Sequence, residues 1–170
     1  CRVKDRAFEE AARRLKDGVK ATEFDIQQLM AAWFVEEGLI SDSASVVAAE
    51  QNAGDPHYLP TAEMARTIGR EEVLLLDLWG KLREPGAVYA DITWIGFTGP
   101  SIPDAMVKAF DAICRARDAA VDTVQHAAKA GREVRGFEAD KAARKVLIDA
   151  GYEDAIATAR HEKVDLPMIR

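Results

Sequence analysis

Two strongly β-prone runs, VLLLDLW over 73–79 and VYADITW over 88–94, flank a short segment containing Pro85 and Gly86. Branched and aromatic residues on both sides of a Pro-Gly turn specify an antiparallel hairpin. Side chains alternate along a strand, so Leu74, Leu76 and Leu78 form one apolar face and Leu75, Asp77 and Trp79 the other. In the second run Tyr89, Asp91 and Thr93 share a face. A turn symmetric about Glu84 sets Asp77 directly opposite Asp91, with Cβ atoms roughly 4.5–5.5 Å apart. Like charges so placed destabilise a sheet. A shared proton or a bound cation would offset the repulsion, and an aspartate turned to solvent or into a turn would avoid it.

Around the hairpin the periodicity is helical. Phe8, Ala11, Ala12 and Leu15 define a helix over 5–17 that ends at Gly18. Thr22, with Asp25 three residues on, is an N-cap for a second helix carrying Ile26, Leu29, Met30, Trp33 and Phe34 on one face and stopping at Gly38. SASVVAA offers a short strand, and EQNAGDPHYLPT reads as a loop that carries His57. Residues 104–130 form a long alanine-rich helix with Val107, Phe110, Ile113, Cys114, Val121 and Val124 among its apolar positions. GFEADKAARKVLIDAGY gives another helix, with Phe137, Ala143, Val146 and Leu147 buried and Gly151 at its end. The final stretch from Glu153 starts like a strand and loses its pattern. Trp33, Trp79 and Trp94 are expected in the core or on a pocket wall, and His126 is expected to be structural or exposed. Helices outnumber strands and the strands form a hairpin, so the fold class is α+β.

Composition narrows the function. At 170 residues the chain fits one domain over 1–170, able to bury on the order of 70% of its unfolded surface. No apolar run is long enough to span a bilayer, so a membrane is excluded as partner. The formal charge is −6, with basic residues scattered among acids, which argues against nucleic acid. Cys1 and Cys114 lack metal-site spacing and suit a reducing, cytoplasmic compartment. The chain opens in helical pattern without a methionine, as expected of a segment within a longer protein.

NAGDPHYLPT, VLLLDLWGK and VYADITWIGFTG, in that order, resemble the catalytic domain of the M24 metallopeptidases, which comprise the Xaa-Pro aminopeptidases and dipeptidases of the pita-bread fold. GVKATEFDIQQLMAAWFVEEGL is similar to the family's early helix, and GFEADKAARKVLIDAGY to the helix before its metal-binding histidine. The resemblance implies two divalent ions, manganese first and cobalt or zinc as alternatives, that activate water for attack on the scissile carbonyl of a peptide with proline in the second position. It makes Asp77 a chelating ligand of one ion, Asp91 a carboxylate bridging both, and His57 the histidine that contacts substrate and stabilises the transition state. Hard oxygen ligands with one imidazole agree with a manganese-like preference. His161 stands nearest the position of the metal-binding histidine, one residue short of it and without the glycine before it. The family's two metal-binding glutamates lie further downstream, so 1–170 is expected to be the first part of the catalytic domain, a pita-bread fold incomplete at its C-terminus. The partner implied is a peptide substrate, and the resemblance allows a homodimer.

Three other readings stand beside it. A creatinase-type hydrolase shares the fold without the metal, but retention of both aspartates argues against it. A pita-bread module that has lost ligands acts in binding or as a chaperone. A plain helical interaction domain leaves Asp77 and Asp91 unexplained. Read alone, His57 is a surface histidine, and Tyr89 and Thr93 either fill the sheet surface or donate hydrogen bonds to a ligating carboxylate.

Overall fold

The computed structural model describes residues 2–153. They fall into two compact units that divide between Ser101 and Ile102. In the first, helices α1 (Arg2–Asp17) and α2 (Glu23–Glu36) precede strands β1 (Leu39–Ile40), β2 (Val46–Ala49), β3 (Val73–Leu82) and β4 (Ala90–Phe97). The second contains α3 (Asp104–Lys129) and α4 (Gly136–Asp149).

Alternation along β3 organises the first unit. Leu74, Leu76 and Leu78 are buried, while Leu75 and Asp77 are half-buried and Trp79 is exposed. The buried face meets Val3, Ala7 and Ala11 of α1 and Ile26, Met30 and Phe34 of α2 in one core cluster, joined by Val47 and Ala49 of β2. Both helical sets recur every four residues, as one face of a helix requires. All strand pairs are antiparallel: β4 runs along 73–80 of β3, β2 along 74–77, and β1 along 81–82.

Two strand glycines admit aromatic rings from the helices. A Cβ at Gly96 would stand 2.8 Å from Phe8 Cε1, and one at Gly80 would stand 2.7 Å from Phe34 Cε1 and 3.1 Å from the Ile40 carbonyl oxygen. Helix α2 begins as its sequence specifies. The Asp25 amide donates to Thr22 Oγ1 at 3.0 Å and the Thr22 amide to Asp25 Oδ2 at 2.8 Å, a reciprocal capping box. The bond from the Thr22 amide is the main reason that the Asp25 pKa lies below the ordinary value.

Several expectations are corrected. β3 runs on to Leu82 and β4 starts at Ala90, so Tyr89 lies before the strand. β1, just beyond Gly38, is too short to carry a period. Trp33 packs against the core, but Trp79 and Trp94 are 44% and 54% exposed. Trp94 instead lies under the Lys4 ammonium, 4.2 Å from its ring centroid. In the second unit Ala143, Val146 and Leu147, expected to be buried, are half-buried, and Phe137 is 62% exposed. The fully buried positions of α3 are the small residues Ala112, Ala116 and Ala127. His126 is exposed. The expected strand after Glu153 lies outside the described residues. Among the described residues no helix is long and apolar enough to cross a membrane.

The two faces of β3 predict unequal penalties for the same chemical change. Leu76→Ala is expected to destabilise by about 2–5 kcal/mol and Leu75→Ala by clearly less, as measured by urea denaturation. Equal losses would contradict the assignment of faces.

Candidate functional site

Asp77 and Asp91 do share a face of the hairpin, but they do not stand opposite one another. Asp77 pairs with Thr93, and Trp79 pairs with Asp91. The turn is therefore centred on Pro85 rather than Glu84, and this moves the partner by two residues. Such a shift preserves the facing of every side chain, where a shift of one would invert it. It also removes the direct like-charge contact. The carboxylates become diagonal neighbours, a relation that sets backbone positions roughly 7–8 Å apart.

The residues actually opposite explain why this register is favourable. Thr93 Oγ1 donates to Asp77 Oδ1 at 2.9 Å, which is the hydroxyl-to-carboxylate role that its face allowed. Trp79 Nε1 donates to Asp42 Oδ1 at 2.8 Å, drawing the indole toward the β1–β2 connection. Asp77 Oδ2 and both Asp91 oxygens accept no hydrogen bond from a described residue. These oxygens belong to two carboxylates on successive same-face rungs of the hairpin. Among the described residues no group of three or more His, Cys, Asp or Glu comes together that could hold a metal. His161 lies outside the described residues.

His57 is exposed on the segment that follows β2. The chain leaves the sheet at the Ala49–Leu74 pair, three residues along β3 from Asp77, or about 10 Å. The His57 amide donates to Asp55 Oδ1 at 2.8 Å and the Tyr58 amide to the Asp55 carbonyl at 3.1 Å, which closes a turn over 55–58. No hydrogen bond or ion pair among the described residues joins His57 to Asp77 or Asp91.

Sequence reasoning missed the centre of polar bonding next to that turn. Glu23, the first residue of α2, is fully buried. Its Oε1 accepts from the Ala49 amide at 2.6 Å and Asn52 Nδ2 at 3.0 Å, and its Oε2 accepts from Tyr58 Oη at 2.5 Å and the Arg66 amide at 2.9 Å. The Arg66 guanidinium in turn donates to Glu72 Oε1 at 2.7 Å and to the Ala49 carbonyl at 3.1 Å. A buried carboxylate is tolerable only with such compensation, to which the helix N-terminus adds. The sole sequence signal was an acid just after an N-cap, which reads as an ordinary first-turn residue.

The sequence profile of metallopeptidase family M24 matches residues 1–162, so the chain belongs to that family. No curated protein matches it. Among solved structures it is similar to dipeptidase PepE from Mycobacterium ulcerans, with 29% identity and a TM-score of 0.62 over 86% of this chain and 36% of that one. It is also similar to the prolidase from Pyrococcus furiosus, with 16% identity and a TM-score of 0.58 over 88% of this chain and 41% of that one. The fold is thus the pita-bread fold, and the chain spans about two fifths of the length of these proteins.

Burial, and after it the hydrogen bond and charge of Glu23, push the Tyr58 pKa up to about 12. A raised folded-state pKa stabilises the fold fully below the unfolded value of about 10 and loses that contribution as pH rises through the folded value. Alkaline unfolding of the native chain should therefore accompany a late phenolate absorbance change. Tyr58→Phe should remove that late component, and its persistence would show that another tyrosine is responsible.

Proposed function

We propose that the chain forms part of a dinuclear metal-dependent peptidase that acts on peptides with proline in the second position. The observation that carries this reading is the common face of Asp77 and Asp91 on successive same-face rungs of β3 and β4, within a chain of family M24. Both structural units belong to one catalytic domain in this reading. Asp77 and Asp91 hold the metals, with manganese favoured by the oxygen-rich donor set, and His161 is a further ligand. The ions supply Lewis acidity toward a peptide carbonyl and water at neutral pH.

The remaining roles fall to the protein's own side chains. Thr93 Oγ1 occupies one lone pair of Asp77 and so fixes which oxygen faces a cation. Trp79, directly opposite Asp91, is tethered to Asp42 through its indole N–H. His57 contacts the substrate and donates a hydrogen bond to charge developing on the scissile carbonyl. That the similar structure at 29% identity is a dipeptidase supports a peptide substrate.

Calorimetric titration of the chain with manganese is expected to show binding that Asp77→Ala and Asp91→Ala each abolish. In the full-length protein the same substitutions should lower manganese-dependent release of the first residue from an Xaa-Pro peptide by at least a hundredfold. Unchanged metal stoichiometry in Asp91→Ala would refute the bridging role. Peptide binding without hydrolysis at saturating manganese would assign a non-catalytic module instead.

A further inference from the structure

We infer that Glu23 is the positioning residue of His57, a buried carboxylate that clamps both ends of the turn from which this histidine projects. The inference rests on the reading above, in which His57 acts on substrate. Asn52 precedes that turn and Tyr58 is its last residue, and both bond the same carboxylate. Between them the turn is closed internally by Asp55, whose own amide donates to the Asn52 carbonyl at 3.2 Å. His57 therefore sits on a short arc with both feet on one side chain.

The residue that bears it is in turn anchored through its backbone. Glu23 lies in the core-facing first turn of α2, and its backbone amide donates to the Arg66 carbonyl at 3.1 Å, while the Ile68 amide donates to the Ala21 carbonyl at 2.9 Å. The Arg66 amide donor and the Ala49 amide donor come from the far and near ends of the same segment. One carboxylate thus collects four donors from residues 49–66, and each bond is charge-assisted. Strain marks the same place. Glu50 and Glu71, neither a glycine, adopt left-handed backbone with φ of +50° and +60°, one just after Ala49 and the other beside Glu72, the Arg66 partner. Residues hold such conformations when their surroundings over-determine them, and they cluster where geometry serves function.

The bonding pattern separates two substitutions. Tyr58→Phe removes one foot of the arc and leaves Glu23 its three other donors. Glu23→Gln places an amide N–H against the donors on one side of the former carboxylate, whichever way the amide sits, and so weakens the whole clamp. Imidazole proton NMR on the full chain, with the His57 signals assigned by His57→Gln, reads the arc directly. Hydrogen exchange compares the amides of 55–58 with those of β3. In Tyr58→Phe the His57 signals should shift and exchange at 55–58 should quicken at least tenfold, with β3 exchanging as in the parent. Glu23→Gln should do the same more strongly; should it fail to fold, Tyr58→Phe alone decides. Intact His57 signals and loop exchange in folded Tyr58→Phe would overturn the inference, as would uniform loosening of loop and β3 alike.

With manganese bound to the full-length protein, Tyr58→Phe should lower kcat for an Xaa-Pro peptide while manganese affinity stays unchanged. If His57→Ala has no effect on turnover, the role of His57 in catalysis fails, whereas the NMR and exchange results still decide whether Glu23 holds the arc.

Discussion

Everything in the first unit depends on the register of β3. Its even-numbered leucines are the floor of the core under α1 and α2, and its odd-numbered residues carry Asp77 and Trp79 on the opposite side. A slip of one residue would drive the Asp77 carboxylate among Ile26, Met30 and Phe34, where an unpaired charge is prohibitively costly. Burial of the leucines thus enforces the presentation of the aspartate. Stability and the candidate metal face are two readings of one alternation.

That alternation is also why so much was legible in the sequence. The facing of Leu74 to Trp79, the capping box of α2 and the helices flanking the hairpin all follow from local periodicity and cap chemistry. The cross-strand partner of Asp77 did not, because facing repeats every two residues and is blind to a register change of two. The choice of Pro85 over Glu84 as the turn centre is made by side-chain pairing: a hydroxyl and an indole opposite the two carboxylates replace a carboxylate pair. The exposure of Trp94 and Phe137 was equally hidden, since an apolar period identifies a face without saying what covers it.

Glu23 illustrates a different limit. Its partners lie between 26 and 43 residues away in sequence, and apart from Ala49, at the end of β2, they stand in turns and loops with no period that could announce them. Long-range polar bonding of this kind has no local signature. Its effect is nonetheless to convert an irregular segment into a defined one. The region from Glu50 to Arg70 contains one short 3₁₀ turn, Glu50–Gly54, and otherwise takes its shape from backbone bonds in turns and a bridge to Thr22 together with the side-chain bonds to Glu23.

The close packing of rings against Gly80 and Gly96 bears on how such a chain can change over time. A side chain added at position 80 requires the Phe34 ring to give way and the Ile40 carbonyl to yield slightly, and one at position 96 requires the Phe8 ring to give way. Each glycine and its ring therefore form a single unit of variation, accessible only by paired substitution. Divergent relatives should alter the two members together or not at all, so that helix-to-sheet spacing changes in discrete steps.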